Sequence, residues 1–365
     1  MDGGPHQRIE PNSTWTPEFP IDQPAATLWY HPHLMNTTGV QVYKGLAGLF
    51  YIDDEYSEAL EIPKDYGDND NPIIVQDKRF TEEGQIPYTL TMQDQMDGFM
   101  GNTILINGVI SPELAVKNEV IRLRILNGSN ARSYAFNFDN GTEFYQIASD
   151  GGFLEESLPM TSLELAPAER AEILVDLSAY EIGDQLTFQD VDNNLLRLVV
   201  TGESEQTVTI PKELVAIEKY KREDIVRSRE FVMSGAGPMV AINGKQMDMN
   251  RIDEYLELGE LEEWVVSNEM GGMGGSRGMM GRRGMMGGMH SSPHPFHVHG
   301  AQFQIIERNG DTPPANEHGW KDTVMVREGE EVRLLVKFNK EGLFMYHCHI
   351  LEHEDAGMIG QFLVE

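Results

Sequence analysis

The densest run of metal-ligating side chains in this 365-residue sequence is HCHILEHEDAGM, from His347 to Met358. Successive side chains on a strand point to opposite faces. In His347-Cys348-His349 the thiol therefore faces one way and both imidazoles the other. Cys348 can be joined on its own face by a histidine and a methionine. That is the soft Cys/His₂ set, with a weak thioether, of a blue-copper electron-transfer site. The flanking imidazoles can hold other copper ions on the opposite face, so one residue-wide step of backbone connects two metal sites. A lone cysteine is usually a small buried hydrophobe. Cys348 is the sole cysteine, and its neighbours favour a metal ligand.

Nine of the eleven histidines fall in three clusters or just upstream of one. Besides the C-terminal run, WYHPH carries His31 and His33, and HSSPHPFHVHG carries His290, His294, His297 and His299. His297 and His299 are two residues apart and can share a strand face, whereas His294, before Pro295, can turn toward Cys348. His31 and His33 share a face if extended, and Pro32 disfavours helix at His31. Imidazole suits copper, zinc, iron or nickel; thiolate with thioether selects copper. A single HxH pair is common on exposed strands and in weak zinc sites, but the three motifs together are far more specific.

Strands must position these residues. IRLRIL (121–126), AEILVDL (171–177), LLRLVV (195–200), EEWVVS (262–267), FQIIER (303–308) and VRLLVKF (332–338) are short, rich in branched residues and bounded by turn-forming residues. Long helical periodicity is scarce, the pattern of sandwiches or barrels of short strands. The length suggests two or three domains. Three stretches read as boundaries or loops: the polar GDNDNP (67–72), the charged EKYKREDIVRSRE (218–230), expected to be a linker, and a Met/Gly/Arg-rich loop, 269–290.

The formal net charge of -31 repels phosphate backbones, which excludes nucleic acid as a partner. No run approaches the ~20 apolar residues of a membrane helix. The first residues carry no basic segment followed by an apolar one, so no secretory signal is read there. Cysteine pairing says nothing about the compartment.

The three histidine motifs resemble three of the four copper-binding motifs of multicopper oxidases, of the bacterial copper-efflux oxidase and spore-coat laccase type. QPAATLWYHPH, GLAGLFYI (45–52), DKRF (77–80), LAPAERAEILVDL (165–177), INGKQMDMN (242–250) and GWKDTVMV (319–326) also match, so the resemblance spans essentially the whole chain. It implies an all-β fold of consecutive cupredoxin-like Greek-key β-sandwich domains. Residues 1–66 would be the C-terminal part of a first, incomplete domain, 67–217 a second, and 218–365 a third carrying the type 1 copper site and the Met-rich loop. It further implies that His294, Cys348, His353 and Met358 hold type 1 copper, that His297 is a type 2 ligand, and that His31, His33, His299, His347 and His349 hold the type 3 pair. Electrons enter one at a time at type 1 and pass through Cys348 to the trinuclear cluster, where dioxygen becomes water. In the family, acids at the positions of Asp2 and Glu354 help to move protons to that cluster. Against this stands the reading of Glu354 as an ordinary exposed acid.

The family's first motif, of HxHG type, is absent. A DGGP segment that follows it in the family is here residues 2–5. The resemblance therefore implies an N-terminally truncated record, with the trinuclear cluster two ligands short and with exposed strand edges in residues 1–55. His6 lies past the motif and has no HxH partner.

Seven methionines lie between Met270 and Met289. Thioethers suit cuprous ion, and copper-efflux oxidases carry a Met-rich insert over type 1 copper; the plainer reading is a low-complexity loop. Met247, Asp248 and Met249 are weaker candidates for a site that receives copper as substrate, and Asp248 also reads as a turn residue. The expected function is a laccase-like or cuprous oxidase, with roles in copper homeostasis, that couples oxidation of cuprous ion or a phenolic small-molecule reductant to reduction of dioxygen. The alternative is a copper-binding or electron-transfer protein without dioxygen reduction. A copper nitrite reductase is disfavoured by the histidines on both sides of Cys348 and by His299 following His297.

Overall fold

A computed structural model describes residues 4–18, 20–191, 193–205, 208–269 and 292–365. Asp2, His290 and the Met-rich loop apart from Glu269 lie outside the described residues. Every apolar-periodic segment singled out above falls within or against a strand, and FQIIER forms the strand Phe303–Arg308.

Among the described residues, the strands Ala26–Tyr30 and Gly48–Ile52 pair only with each other, antiparallel, with Ala26 opposite Ile52. Tyr30, 64% exposed, and Phe50 stand on this small sheet in contact with solvent. Residues 70–202 form a five-stranded and a six-stranded sheet face to face. In the strand Val120–Asn127 of the larger sheet, Ile121, Leu123 and Ile125 join a core with Phe136, Phe144 and Phe188. The alternate residues Arg122 and Arg124 point to the other face, where Asp70, Glu172 and the Thr27 hydroxyl meet them. The strand is buried on both sides because one face packs on the core and the other grips the N-terminal region through ion pairs.

Two five-stranded sheets make the C-terminal region. Trp264, on Leu261–Asn268, lies at their centre, with the Phe231 ring 4.5 Å away and Phe296, Phe338, Tyr346 and Phe362 around it. Asn107-Gly108, Asn243-Gly244 and Asn309-Gly310 all have positive φ. Asn-Gly pairs adopt that geometry in two-residue hairpin turns.

The expectation of a linker at 218–230 is corrected in its second half. Ile225–Ser234 is a strand, parallel to Leu261–Asn268. Its charges misled because they are paired: Arg229 donates to Glu262 on the neighbouring strand and to Glu254 on the other sheet, and Ser228 donates to Glu263. The polar stretch 67–72 likewise enters a strand, Asp70–Lys78, with Asn69, Asp70 and Asn71 buried.

Helices are short, and two bear on the site. Met92–Asp97 is capped by Thr91, whose hydroxyl accepts from the Asp94 N–H while Asp94 accepts from Thr91. Arg79 closes a two-pronged pair on Asp94 and, with Thr91, holds its carboxyl down at about 2. A depressed carboxylate stabilises the fold above its unfolded value, here 3.8, and that contribution is lost as pH falls through about 2. Arg79 is partly solvated, so the pair is discounted for screening. Asp94→Asn is expected to cost about 1–2 kcal/mol at neutral pH, and the difference from the parent should vanish by about pH 2. Denaturant unfolding at several pH values measures it, and a pH-independent difference would contradict the assignment.

Candidate metal centres

The strand His294–Val298 lies between Thr323–Val326 and Gly342–Cys348. Phe296 sits opposite Cys348 and His297 opposite His347. Residues facing each other across a sheet project to the same side. His294, Phe296 and Cys348 therefore point into the C-terminal core, and His297 and His347 point out of it. Ordinary alternation brings His294 to Cys348; no special turn at Pro295 is needed.

The first cluster forms around Cys348. Its Sγ is 3.4 Å from His294 Nδ1 and 3.9 Å from His353 Nδ1, and all three residues are fully buried. Met358 is buried in the same cluster of side chains, and its backbone bonds both His353 and Cys348. His353 is carried by the short helix Leu351–Asp355, which the strand-based sequence reading did not anticipate. Its Nε2 lies 2.9 Å from the Met96 carbonyl. A carbonyl only accepts, so that nitrogen carries the proton and Nδ1 turns its lone pair to the thiol. Gly98, at φ 88, ends the helix that supplies Met96, and a side chain there would strike Ala131 and Ile350. The Ile350 N–H donates to Cys348 Sγ over 3.4 Å. Burial pushes the Cys348 thiol up, against that hydrogen bond, and pushes His294 down to about 3.

The second cluster lies on the opposite side of the same backbone. His347 Nε2 is 3.2 Å from His33 Nε2 and 3.1 Å from His299 Nε2. Its Nδ1 is 3.0 Å from the Cys348 carbonyl, so Nε2 carries the lone pair. The His349 ring is 5.3 Å from that of His31 and 5.6 Å from that of His297. Trp29 backs His31 at 4.2 Å. Burial, and then the neighbouring imidazoles, push His347 and His349 well below the usual histidine range. His297 Nδ1 lies 2.8 Å from the Asp322 carbonyl and 3.0 Å from the Thr323 hydroxyl. Burial works against the Asp322 charge, but Arg170 and His297 hold its carboxyl well below the usual range.

Glu354 is 1% exposed, which overturns its reading as an ordinary exposed acid. Its oxygens lie 3.5 Å from His33 Nδ1 and 3.3 Å from His347 Nδ1. Burial pushes its carboxyl well above the usual range; Asp355 adds to this and the nearby Thr38 hydroxyl opposes it.

Other candidates stand apart. His6 contacts Gln361. Met247 bonds the Gly357 carbonyl through its N–H, beside Met358. Asp248 accepts from the Asn250 N–H, as a turn residue does. Sequence reasoning missed Met96, Asp322, Thr323 and Arg170. The GWKDTVMV match contains Asp322 and Thr323 and the LAPAERAEILVDL match contains Arg170, whereas a backbone carbonyl such as that of Met96 has no sequence signature.

Family models described as multicopper oxidase match residues 1–57 and 216–365. A Staphylococcus haemolyticus (strain JCSC1435) protein named multicopper oxidase mco is 39% identical over 364 residues, which are 100% of this chain and 74% of that protein. The chain belongs to the multicopper oxidase family. A crystal structure of a laccase from Pediococcus acidilactici Pa5930 superposes on this multicopper oxidase with a TM-score of 0.90 at 39% identity, covering 100% of this chain and 75% of that one. The Escherichia coli (strain K12) cell division protein FtsP is 37% identical over 384 residues, covering 99% of this chain and 75% of that protein. The shared fold is the cupredoxin-like, nearly all-β architecture expected from the sequence. No helix among the described residues is long and apolar enough to cross a membrane.

Copper is the cofactor that this family implies, and the residues fit it. Both ring nitrogens of His349 are buried with no hydrogen-bond partner among the described residues. Orphaned polar atoms of this kind cost roughly 1–3 kcal/mol each, and a bound cation relieves the cost. The Nε2 atoms of His33, His299 and His347 converge in the second cluster, close enough together to share one cation. The buried thiol with two imidazoles is a donor set suited to copper.

Proposed function

We propose that this multicopper oxidase takes electrons singly from a reductant at the Cys348 cluster and delivers them to the histidine cluster for reduction of dioxygen to water. The convergence of Cys348, His294 and His353 carries the proposal: a thiol within 3.4 and 3.9 Å of two oriented imidazole nitrogens, all out of water. Cys348, His294, His353 and Met358 would hold type 1 copper. His297 would serve type 2, and His31, His33, His299, His347 and His349 the type 3 pair. Bound copper would supply one-electron acceptance at the first cluster and dioxygen reduction at the second.

The chain's own residues prepare both. The Met96 carbonyl fixes the ring of His353. Consecutive residues join the clusters, reinforced by the hydrogen bond from His347 to the Cys348 carbonyl. Glu354, between His33 and His347, is positioned to carry protons to the second cluster; Asp2 is assigned the same role from the family alone. The reductant is cuprous ion or a phenolic small molecule. Met247, Asp248 and Met249 are weaker candidates to receive a cuprous ion as substrate, toward which the acidic surface would draw cations. The division of the chain at 66/67 and 217/218 belongs to the same proposal.

A second reading has a specific basis. Among the described residues, His297 joins no group of three converging ligand atoms. That favours a copper-binding or electron-transfer protein without dioxygen reduction, and the cell division name of one relative accords with a role other than oxidation. Copper content, visible and paramagnetic spectra, and dioxygen uptake with cuprous and phenolic reductants decide between them. The expected result is a blue chromophore, copper at both clusters, and dioxygen consumption stoichiometric with reductant. A blue protein that consumes no dioxygen would establish the second reading.

A further inference from the structure

The middle region, residues 67–217, contains no histidine, so it gives neither cluster an imidazole. It does send one side chain toward them. Arg170 opens the strand Arg170–Asp176 and is buried. A guanidinium has five N–H donors in a fixed plane, and all five of Arg170 are used. Nε donates to the Thr27 carbonyl at 3.2 Å. Nη1 donates to the Ala168 carbonyl at 2.9 Å and to Asp322 Oδ1 at 2.7 Å. Nη2 donates to the Asp150 carbonyl at 2.8 Å and to Asp322 Oδ2 at 2.6 Å.

These contacts end on the segments that bear histidines. Thr27 belongs to the strand that runs on into His31 and His33. Asp322 is held by a two-pronged pair, whose geometry restricts position and rotation together. The same Asp322 presents its backbone carbonyl to His297 Nδ1 at 2.8 Å. Its Oδ1 accepts from the Thr323 hydroxyl at 2.9 Å, and that hydroxyl lies 3.0 Å from His297 Nδ1. The Asp322 carbonyl also accepts from the Val298 N–H at 3.0 Å, and the corner that sets the plane and tautomer of His297 is braced in addition by Arg170 from a different sheet.

We infer that Arg170 is a positioning residue for His297: by locking Asp322 it holds the Asp322 carbonyl on Nδ1–H and so directs Nε2 into the histidine cluster. The inference rests on the copper reading of His297 and deepens it. Groups that orient a ligating histidine commonly contribute 10- to 100-fold to metal affinity.

The test uses the full chain and two readouts besides activity. In metal-free protein labelled with nitrogen-15 at histidine, the His297 Nδ1–H resonance, assigned with His297→Gln, should be protected from exchange with water. Arg170→Gln leaves Asp322 buried without its partner, which endangers folding. The pair Arg170→Gln with Asp322→Asn removes that charge while keeping the carbonyl, and it decides the matter if the single variant does not fold. Arg170→Lys supplies charge without the fork. Expected in the double variant are loss of the protected His297 signal and, on titration with copper alone, roughly 10- to 100-fold weaker binding at the His297 cluster. The blue absorption from the Cys348 cluster should be unchanged, and Arg170→Lys should recover only part of both effects. A His297 signal that stays protected in the double variant overturns the inference. Failure of the parent protein to develop blue absorption would instead overturn the copper reading, leaving the metal-free resonance to judge the role of Arg170.

Discussion

Replacing Cys348 with serine is expected to abolish the intense blue absorption of the copper-loaded protein and to bring oxidation of any reductant to background. A hydroxyl is a hard, neutral donor in place of a soft thiolate, so the donor set loses the member that selects copper. The loss should exceed the roughly 10- to 100-fold that follows removal of an outer partner of a metal ligand. Cys348 also supplies the covalent step to His347 and His349. Electron delivery should therefore fail even if His294 and His353 retain some copper. Serine is smaller than cysteine and nearly isosteric, and the cluster lies inside a well-packed aromatic core, so thermal unfolding of the metal-free protein should change little. Visible spectra, copper content and dioxygen uptake measured on one preparation test this. Persistence of the blue band in Cys348→Ser would exclude Cys348 as its origin.

Glu354→Gln should separate electron entry from dioxygen reduction. The carboxyl is buried within 3.5 Å of two histidines of the second cluster, and apart from the nearby Thr38 hydroxyl its oxygens have no close hydrogen-bond partner among the described residues. A group held only for the fold is seldom left so poorly satisfied. Glutamine has the same shape and keeps an acceptor oxygen but cannot give up a proton. Positioned proton transfer typically contributes about 100- to 10,000-fold, and dioxygen uptake in the variant should fall within that range. The blue band, and its bleaching by reductant under anaerobic conditions, should be preserved. Removing a poorly solvated carboxyl should leave the unfolding temperature unchanged or raised. A purely structural role for Glu354 predicts the reverse pattern: lower stability with dioxygen reduction intact.

Much of the fold was legible because strand periodicity is local. VRLLVKF and EEWVVS state their faces within seven residues, and the sheets respect them. The misread part of 218–230, from Ile225 on, failed for a physical reason: its arginines and glutamates look solvated in isolation, yet Arg229 finds Glu262 on the neighbouring strand and Glu254 on the other sheet. The helix Leu351–Asp355 was hidden inside a motif whose histidines invite a strand reading, and that helix is what swings His353 back toward Cys348.

By itself the sequence determined which donor groups are at hand. Ligand identity resides in side-chain type, and HCHILEHEDAGM places a thiolate, imidazoles and a thioether within one short segment, with alternation at His347-Cys348-His349 dividing them between two faces. Only the tertiary structure decided which distant groups complete each face. His33 meets His347 across 314 residues of sequence, and Met96 reaches His353 across 257. Arg170, in a region with no histidine, reaches Asp322 across 152. Contacts over such separations arise from how sheets pack, and several of them end on backbone carbonyls, which every residue possesses and no sequence pattern distinguishes.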